Sequence, residues 1–123
     1  MARKTTSPPG SSGLSLGIDL KCGLRIRPGK IALLEAIAQD GSIAAAGRRL
    51  AISYKHAWDM VEEISRGLGK PVITASAGGR EGGGSVLTKE GETLVRHYRA
   101  IEAAATLATL KPVRLLNRLA ARR

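Results

Sequence analysis

Phenylalanine is absent from this 123-residue sequence, and one tryptophan and two tyrosines are its only aromatic residues. An interior built on aromatic rings is excluded, so Leu, Ile, Val and Ala must fill it. Cysteine occurs once, at Cys22, which excludes an internal disulfide and fits a reducing compartment. With no second Cys and no nearby His to complete a redox or metal motif, Cys22 is expected to be an ordinary strand residue. No apolar run approaches the ~18 residues that span a bilayer. Arg3 and Lys4 are followed by Ser, Pro and Gly where a signal peptide would carry its apolar core. The expected location is the cytoplasm, with no membrane partner. Acidic residues are also scarce: 10 Asp and Glu against 20 Lys and Arg leave a formal charge of +10. That balance attracts polyanions without choosing among them.

Catalytic constellations are missing as well. His56 and His97 each fall on a predicted helix without a ligand-spaced partner such as HExxH, and no Gly-x-Ser-x-Gly elbow or paired-carboxylate motif occurs. The glycine-rich stretch AGGREGGG (77–84) is no P-loop, because Gly78 and Gly83 lead to Gly84-Ser85 with no lysine. The expectation is a protein that is not an enzyme and has no cofactor or metal.

What is present fits one domain with a modest core. Residues 1–17, rich in Ser, Pro and Gly, read as a flexible basic arm. Residues 18–27 read as one or two short strands interrupted at Gly23. A helix over about 30–40 follows, with Ile31, Leu34, Ile37 and Ala38 along one side, and it stops at Asp40-Gly41. Ser42 caps a helix over 43–50, whose inward residues are Ile43, Ala46 and Leu50. After the turn Ala51-Ile52-Ser53, Ser53 caps a third helix over 54–68 with a buried stripe at Ala57, Val61, Ile64 and Leu68. PVITAS (71–76) and SVLT (85–88) read as a hairpin around the glycine loop, and Thr88 caps a long fourth helix. Leu94, Tyr98, Ile101, Ala105 and Ala108 recur along it at near-heptad spacing, a seam that needs a partner; homodimerisation is the simplest supply. Pro112 breaks the pattern, and residues 111–123 form a basic amphipathic tail with Leu115, Leu116 and Leu119 on one side.

The order strand, helix, helix, turn, helix, hairpin, helix is that of a winged helix-turn-helix: mainly α, with a small β-hairpin and a long C-terminal dimerisation helix. Two helices joined by a three-residue turn can press the start of the second into a DNA major groove. The expected DNA-contacting residues are Ser42, Arg48, Ser53, Tyr54, Lys55, His56 and, at the hairpin tip, Arg80. Free backbone N–H groups in that first turn attract a phosphate oxygen. Lys55 can donate to guanine O6 or N7, and Tyr54 or His56 to a phosphate or base edge. Asp59 either accepts from cytosine N4 or orients Lys55. Glu62 and Glu63 face away from DNA or pair with Arg66, Arg49 joins Arg48 as a phosphate contact, and Trp58 packs at the helix junction.

ISYKHAWD (52–59), the glycines of 78–84 and VLTKEG (86–91) together resemble the N-terminal DNA-binding domain of ModE-type molybdate-responsive transcription regulators, a likeness spanning residues 18–110. The resemblance implies a winged helix related to the LysR-type head that dimerises through its long helices. The recognition-helix start then falls on Ser53, Tyr54, Lys55 and His56, and the wing on Gly78 through Ser85. It also implies control of molybdenum-uptake or molybdoenzyme genes through palindromic operators. In full-length members molybdate is held by C-terminal modules, which residues 111–123 are too short to replace, so direct molybdate sensing is not expected. Whether any small-molecule effector acts on the chain stays open. Two other functions fit the same residues: a non-specific architectural DNA-binding protein driven by the +10 charge, and a protein-interaction module built on the long helix and basic tail.

Overall fold

The computed structural model describes residues 13–76 and 84–121. In chain order the elements are β1 (Ile18–Asp19), β2 (Arg25–Ile26), α1 (Pro28–Asp40), α2 (Ile43–Leu50), α3 (Tyr54–Leu68), β3 (Ile73–Ser76), β4 (Gly84–Leu87), α4 (Lys89–Ala108) and α5 (Leu110–Ala120). The mainly α architecture with a small antiparallel hairpin expected from the sequence is the one observed.

Of the arm expected over 1–17, residues 1–12 lie outside the described region. Residues 13–17 belong to no helix or strand and lead into β1 with alternating exposure. Leu16 packs on the core, and its carbonyl accepts a 2.9 Å hydrogen bond from the hydroxyl of Tyr98. β1 and β2 are antiparallel, pairing Ile18 with Ile26 and Asp19 with Arg25. Between them the chain reverses through Gly23, whose φ of 98° suits a residue without Cβ. Cys22 is therefore an exposed turn residue and not a strand residue: the reversal closes with Gly23 N–H on Leu20 O, which leaves position 22 no place in the ladder.

α1 starts at Pro28, two residues earlier than its apolar pattern suggests. Proline's fixed φ and missing N–H suit the first helical position. Its burial is not the one-sided stripe expected. Ile31, Leu33, Leu34, Ala36 and Ile37 are all buried, while Ala38 is exposed. α1 is the central element, contacted by α2, α3, α4 and β4, so a single apolar face would not suffice. By contrast α3 buries Ala57, Val61 and Ile64 on one face, as its periodicity predicts.

Side-chain caps fix where the elements begin. The hydroxyls of Ser42, Ser53 and Thr88 accept the N–H groups of Ala45, His56 and Gly91 at 3.0, 3.0 and 3.1 Å. Thr88 also donates to Pro71 O at 2.8 Å, tying the start of α4 to the segment that leads into β3. There Gly91 is obligatory, because a Cβ would lie 2.4 Å from Val72 O. β3 pairs with β4 from Ile73–Leu87 to Ser76–Gly84. The N–H of Ser85 bonds Gly41 O at 2.8 Å and so anchors this hairpin to the α1–α2 turn.

The near-heptad seam of α4 divides. Tyr98 is buried in the protein's own core and Leu94 packs against it, whereas Ile101 and Ala108 are exposed. Arg99 joins α4 to α1 through a two-point pair with Glu35 (2.9 and 2.7 Å) and also holds Glu102 at 2.6 Å. These carboxylates push the guanidinium further above its already high ordinary pKa. Pro112 does not break the helical run. The interruption falls at Thr109, whose hydroxyl donates to Ala105 O at 2.8 Å, and Pro112 sits in the first turn of α5, where an N–H is dispensable.

Candidate nucleic-acid interface

Ala46 and Gly47 are buried where α2 meets α3, and a Cβ on Gly47 would come within 3.2 Å of Ile52 O. This small pair lets the connecting turn close beneath α2. Ala51 takes the left-handed conformation, φ 60° and ψ 41°, while Ile52 N–H bonds Gly47 O at 2.9 Å. The turn aims the start of α3 outward. Ser53, Tyr54, Lys55 and His56 form four consecutive exposed residues.

Their side chains are not equally available. Ser53 has an acceptor site occupied by His56 N–H. Lys55 pairs with Asp59 at 2.9 Å, the spacing of one helical turn, and both side chains are well exposed. Such a pair is worth under about 1 kcal/mol, so a competing acceptor can displace Asp59 readily. Tyr54 accepts a 2.7 Å hydrogen bond from the indole N–H of Trp58. Trp58, partly buried against the core, is thus a junction residue as expected, with a polar contact that residue type alone did not foretell.

Tyr54 and Trp58 also form one wall of an open cleft of about 390 Å³. Ser42 at the start of α2 and Thr74 and Ser85 on the hairpin contribute to its lining. The cleft brings the start of the third helix and the base of the wing onto one surface. Among the described residues it carries four hydroxyls and no ionised side chain.

Arg48 and Arg49, in the last turn of α2, differ. Arg49 grips Asp40 with two bonds of 2.9 and 2.6 Å. That contact holds the Asp40 carboxyl below its usual range and Arg49 above its own. Arg48 is exposed and adds only a weaker attraction to Asp40. Glu63 does not pair with Arg66. It meets Lys30 of α1 at 3.3 Å instead, because α1 and α3 pack side by side. Arg80 lies outside the described residues. Sequence reasoning missed the Asp40–Arg49 clamp, whose nine-residue separation has no helical signature. It also missed the Tyr54–Trp58 bond, although a four-residue spacing within one helix is the available signal.

The family described as bacterial regulatory helix-turn-helix protein, lysR family, matches residues 29–92, from α1 to the first turn of α4. The chain is 49% identical over 83 residues to the molybdenum-pterin-binding protein MopB of Rhodobacter capsulatus, covering 68% of this chain and 31% of that protein. It is 39% identical over 87 residues to the molybdenum transport protein ModE of Azotobacter vinelandii, covering 71% and 32%. With the DNA-binding transcriptional dual regulator ModE of Escherichia coli (strain K12) the identity is 37% over 83 residues, covering 68% and 32%. The chain thus spans about a third of the length of these relatives. In fold it is similar to the protein in a crystal structure of a CbnR_DBD–DNA complex, with a TM-score of 0.54 and 24% identity over 76% of this chain and 97% of that one. By the extent of the family match, this chain belongs to the bacterial regulatory helix-turn-helix proteins of the lysR family.

Proposed function

We propose that this chain is a sequence-specific DNA-binding transcriptional regulator of molybdate transport or molybdenum metabolism genes, acting in the cytoplasm as a homodimer and catalysing no reaction. The observation that carries the reading is the outward-facing, Ser53-capped first turn of α3 beside the wing. The molybdenum connection rests on the ModE and MopB relatives. Residues 18–110 would be the DNA-binding and dimerising domain, with the arm (1–17) and basic tail (111–123) adding sequence-independent phosphate contacts.

Each α3 would enter one major groove, with half-sites about 34 Å apart on one face of the duplex. Lys55, released from Asp59, donates to a guanine edge, and Tyr54 and His56 reach a base or phosphate. Ser42, Ser53, Arg48 and Arg80 hold the sugar-phosphate backbone. The +10 charge supplies long-range attraction. With ~6 phosphates engaged, the log–log slope of affinity against salt is near −5.

The test is to incubate the purified protein with fragmented DNA of its own genome at near-physiological salt and sequence the retained fragments. Enrichment of an inverted repeat is the expected result, and the neighbouring genes test the molybdenum connection. Retention with no shared sequence would instead indicate an architectural protein. On the enriched duplex, Lys55→Ala is expected to lose affinity that it does not lose on random DNA, whereas Arg80→Ala weakens both alike. Equal losses for Lys55→Ala on both would refute its assignment to base readout.

A further inference from the structure

Tyr54 is the most exposed aromatic ring at the start of α3, with 56% of its surface accessible, yet its hydroxyl is not free to rotate as it pleases. The indole nitrogen of Trp58 lies 2.7 Å from it. An indole N–H can only donate, so in this pair the phenol oxygen must accept. The hydrogen of that hydroxyl is then not spent on Trp58 and is left to be donated elsewhere. Trp58 cannot follow Tyr54 outward, because its ring packs partly against the core.

We propose that Trp58 is a positioning residue for DNA recognition: its indole N–H fixes the Tyr54 hydroxyl as a hydrogen-bond donor aimed at the duplex. This rests on the DNA-binding function proposed above. The polarity matters for what Tyr54 can read. A phosphate oxygen, guanine O6 or N7 and thymine O4 are acceptors and fit. The amino groups of cytosine and adenine are donors and compete with the indole for the same oxygen. Ser42, which lines the same cleft, is biased likewise, because its oxygen accepts Ala45 N–H while its own hydrogen remains to be given. Among the described residues, no acidic side chain lines the cleft to accept either proton in place of DNA.

Tyr54→Phe, Trp58→Phe and the double variant, assayed on the duplex enriched from genomic DNA, test this coupling. Each single variant is expected to lose about 3–10-fold in affinity, the scale of one hydrogen bond, and the double variant no more than the worse single. Multiplicative losses would overturn the proposal, because the two side chains would then act independently. So would a Trp58→Phe variant that binds as wild type beside a defective Tyr54→Phe, and in that case the DNA-binding reading itself stands.

Trp58 is the only tryptophan, so a single indole N–H resonance reports the bond without reference to DNA. Tyr54→Phe is expected to shift that resonance and speed its exchange, and an unmoved signal overturns the proposal even if affinity falls. This keeps the test intact should Trp58→Phe fold poorly. Methylphosphonate linkages placed singly along the duplex identify the acceptor. If one neutral linkage abolishes the difference between wild type and Tyr54→Phe, the acceptor is a phosphate. Persistence of the difference at every linkage assigns it to a base edge. Failure of the wild-type protein to bind any duplex removes the regulator reading together with this one.

Discussion

From Lys89 to Tyr98, α4 belongs to the core: Gly91 is wedged against Val72, Leu94 packs inward, and Tyr98 is almost inaccessible. From Ile101 onward the same helix, and all of α5, lies on the surface, with Leu107, Leu110, Leu115, Leu116 and Leu119 each about half exposed or more. The apolar residues recur with similar spacing in both regions. Periodicity therefore records that a face is to be covered without recording by what. In the first region this chain covers it, and in the second the proposed dimer would.

The largest effect is expected from breaking the buried region. Gly91→Ala drives a Cβ into a backbone carbonyl that also accepts the N–H of Thr88, so neither side can yield cheaply. We expect a loss of about 3 kcal/mol, which lowers the thermal midpoint by roughly 15 °C. A midpoint near wild type would mean that the α4 N-terminus is not seated on Val72 as described.

Replacing Leu115, Leu116 and Leu119 together by Ser sharpens the contrast from the other side. α5 has no buried residue, so the folded monomer should change by less than about 1 kcal/mol in thermal or urea unfolding at low concentration. Sedimentation at rising concentration should show weaker self-association than wild type. Unchanged association would remove α5 from the proposed dimer contact.

A third, smaller effect separates the ion pairs by pH. Arg49 depresses the Asp40 carboxyl, so its contribution to stability is complete above the ordinary Asp value near ~3.9 and disappears as pH falls through the lower folded value. Asp40→Asn should therefore be less stable than wild type at neutral pH, and the gap should close as the solution is acidified below about pH 4. A constant gap would show that the clamp acts through packing alone.

Legibility from sequence followed the same divide. α2, α3 and the hairpin were readable because their apolar residues recur on one face and the two helices carry Ser42, Ser53 and Gly69 at their ends, signals that act within four residues. α1 was only half readable, since a helix surrounded by neighbours has no face to reveal. Cys22 was misplaced because a two-residue strand is too short to alternate. In the candidate interface, the Lys55–Asp59 pair was foreseeable at four-residue spacing. The Asp40–Arg49 clamp depends on how α1 and α2 cross, which no local pattern encodes.

The interface end is held by backbone geometry more than by buried area, and Ala51 offers the finest test of that. It is the only non-glycine residue with positive φ among the described residues, and it forms the turn that presents α3. Left-handed backbone costs an L-residue about 1–2 kcal/mol. A glycine there would relieve most of that but add about 0.4–1 kcal/mol of unfolded-chain entropy to be lost on folding. Ala51→Gly should therefore stabilise by roughly 0.5 kcal/mol, raising the midpoint by about 3 °C. Because the Ala51 side chain is exposed, affinity for the enriched duplex should stay at the wild-type value. A fall in affinity at unchanged stability would mean that the strained turn also sets the angle of α3, so that the backbone at Ala51 belongs to the recognition apparatus as much as Tyr54 does.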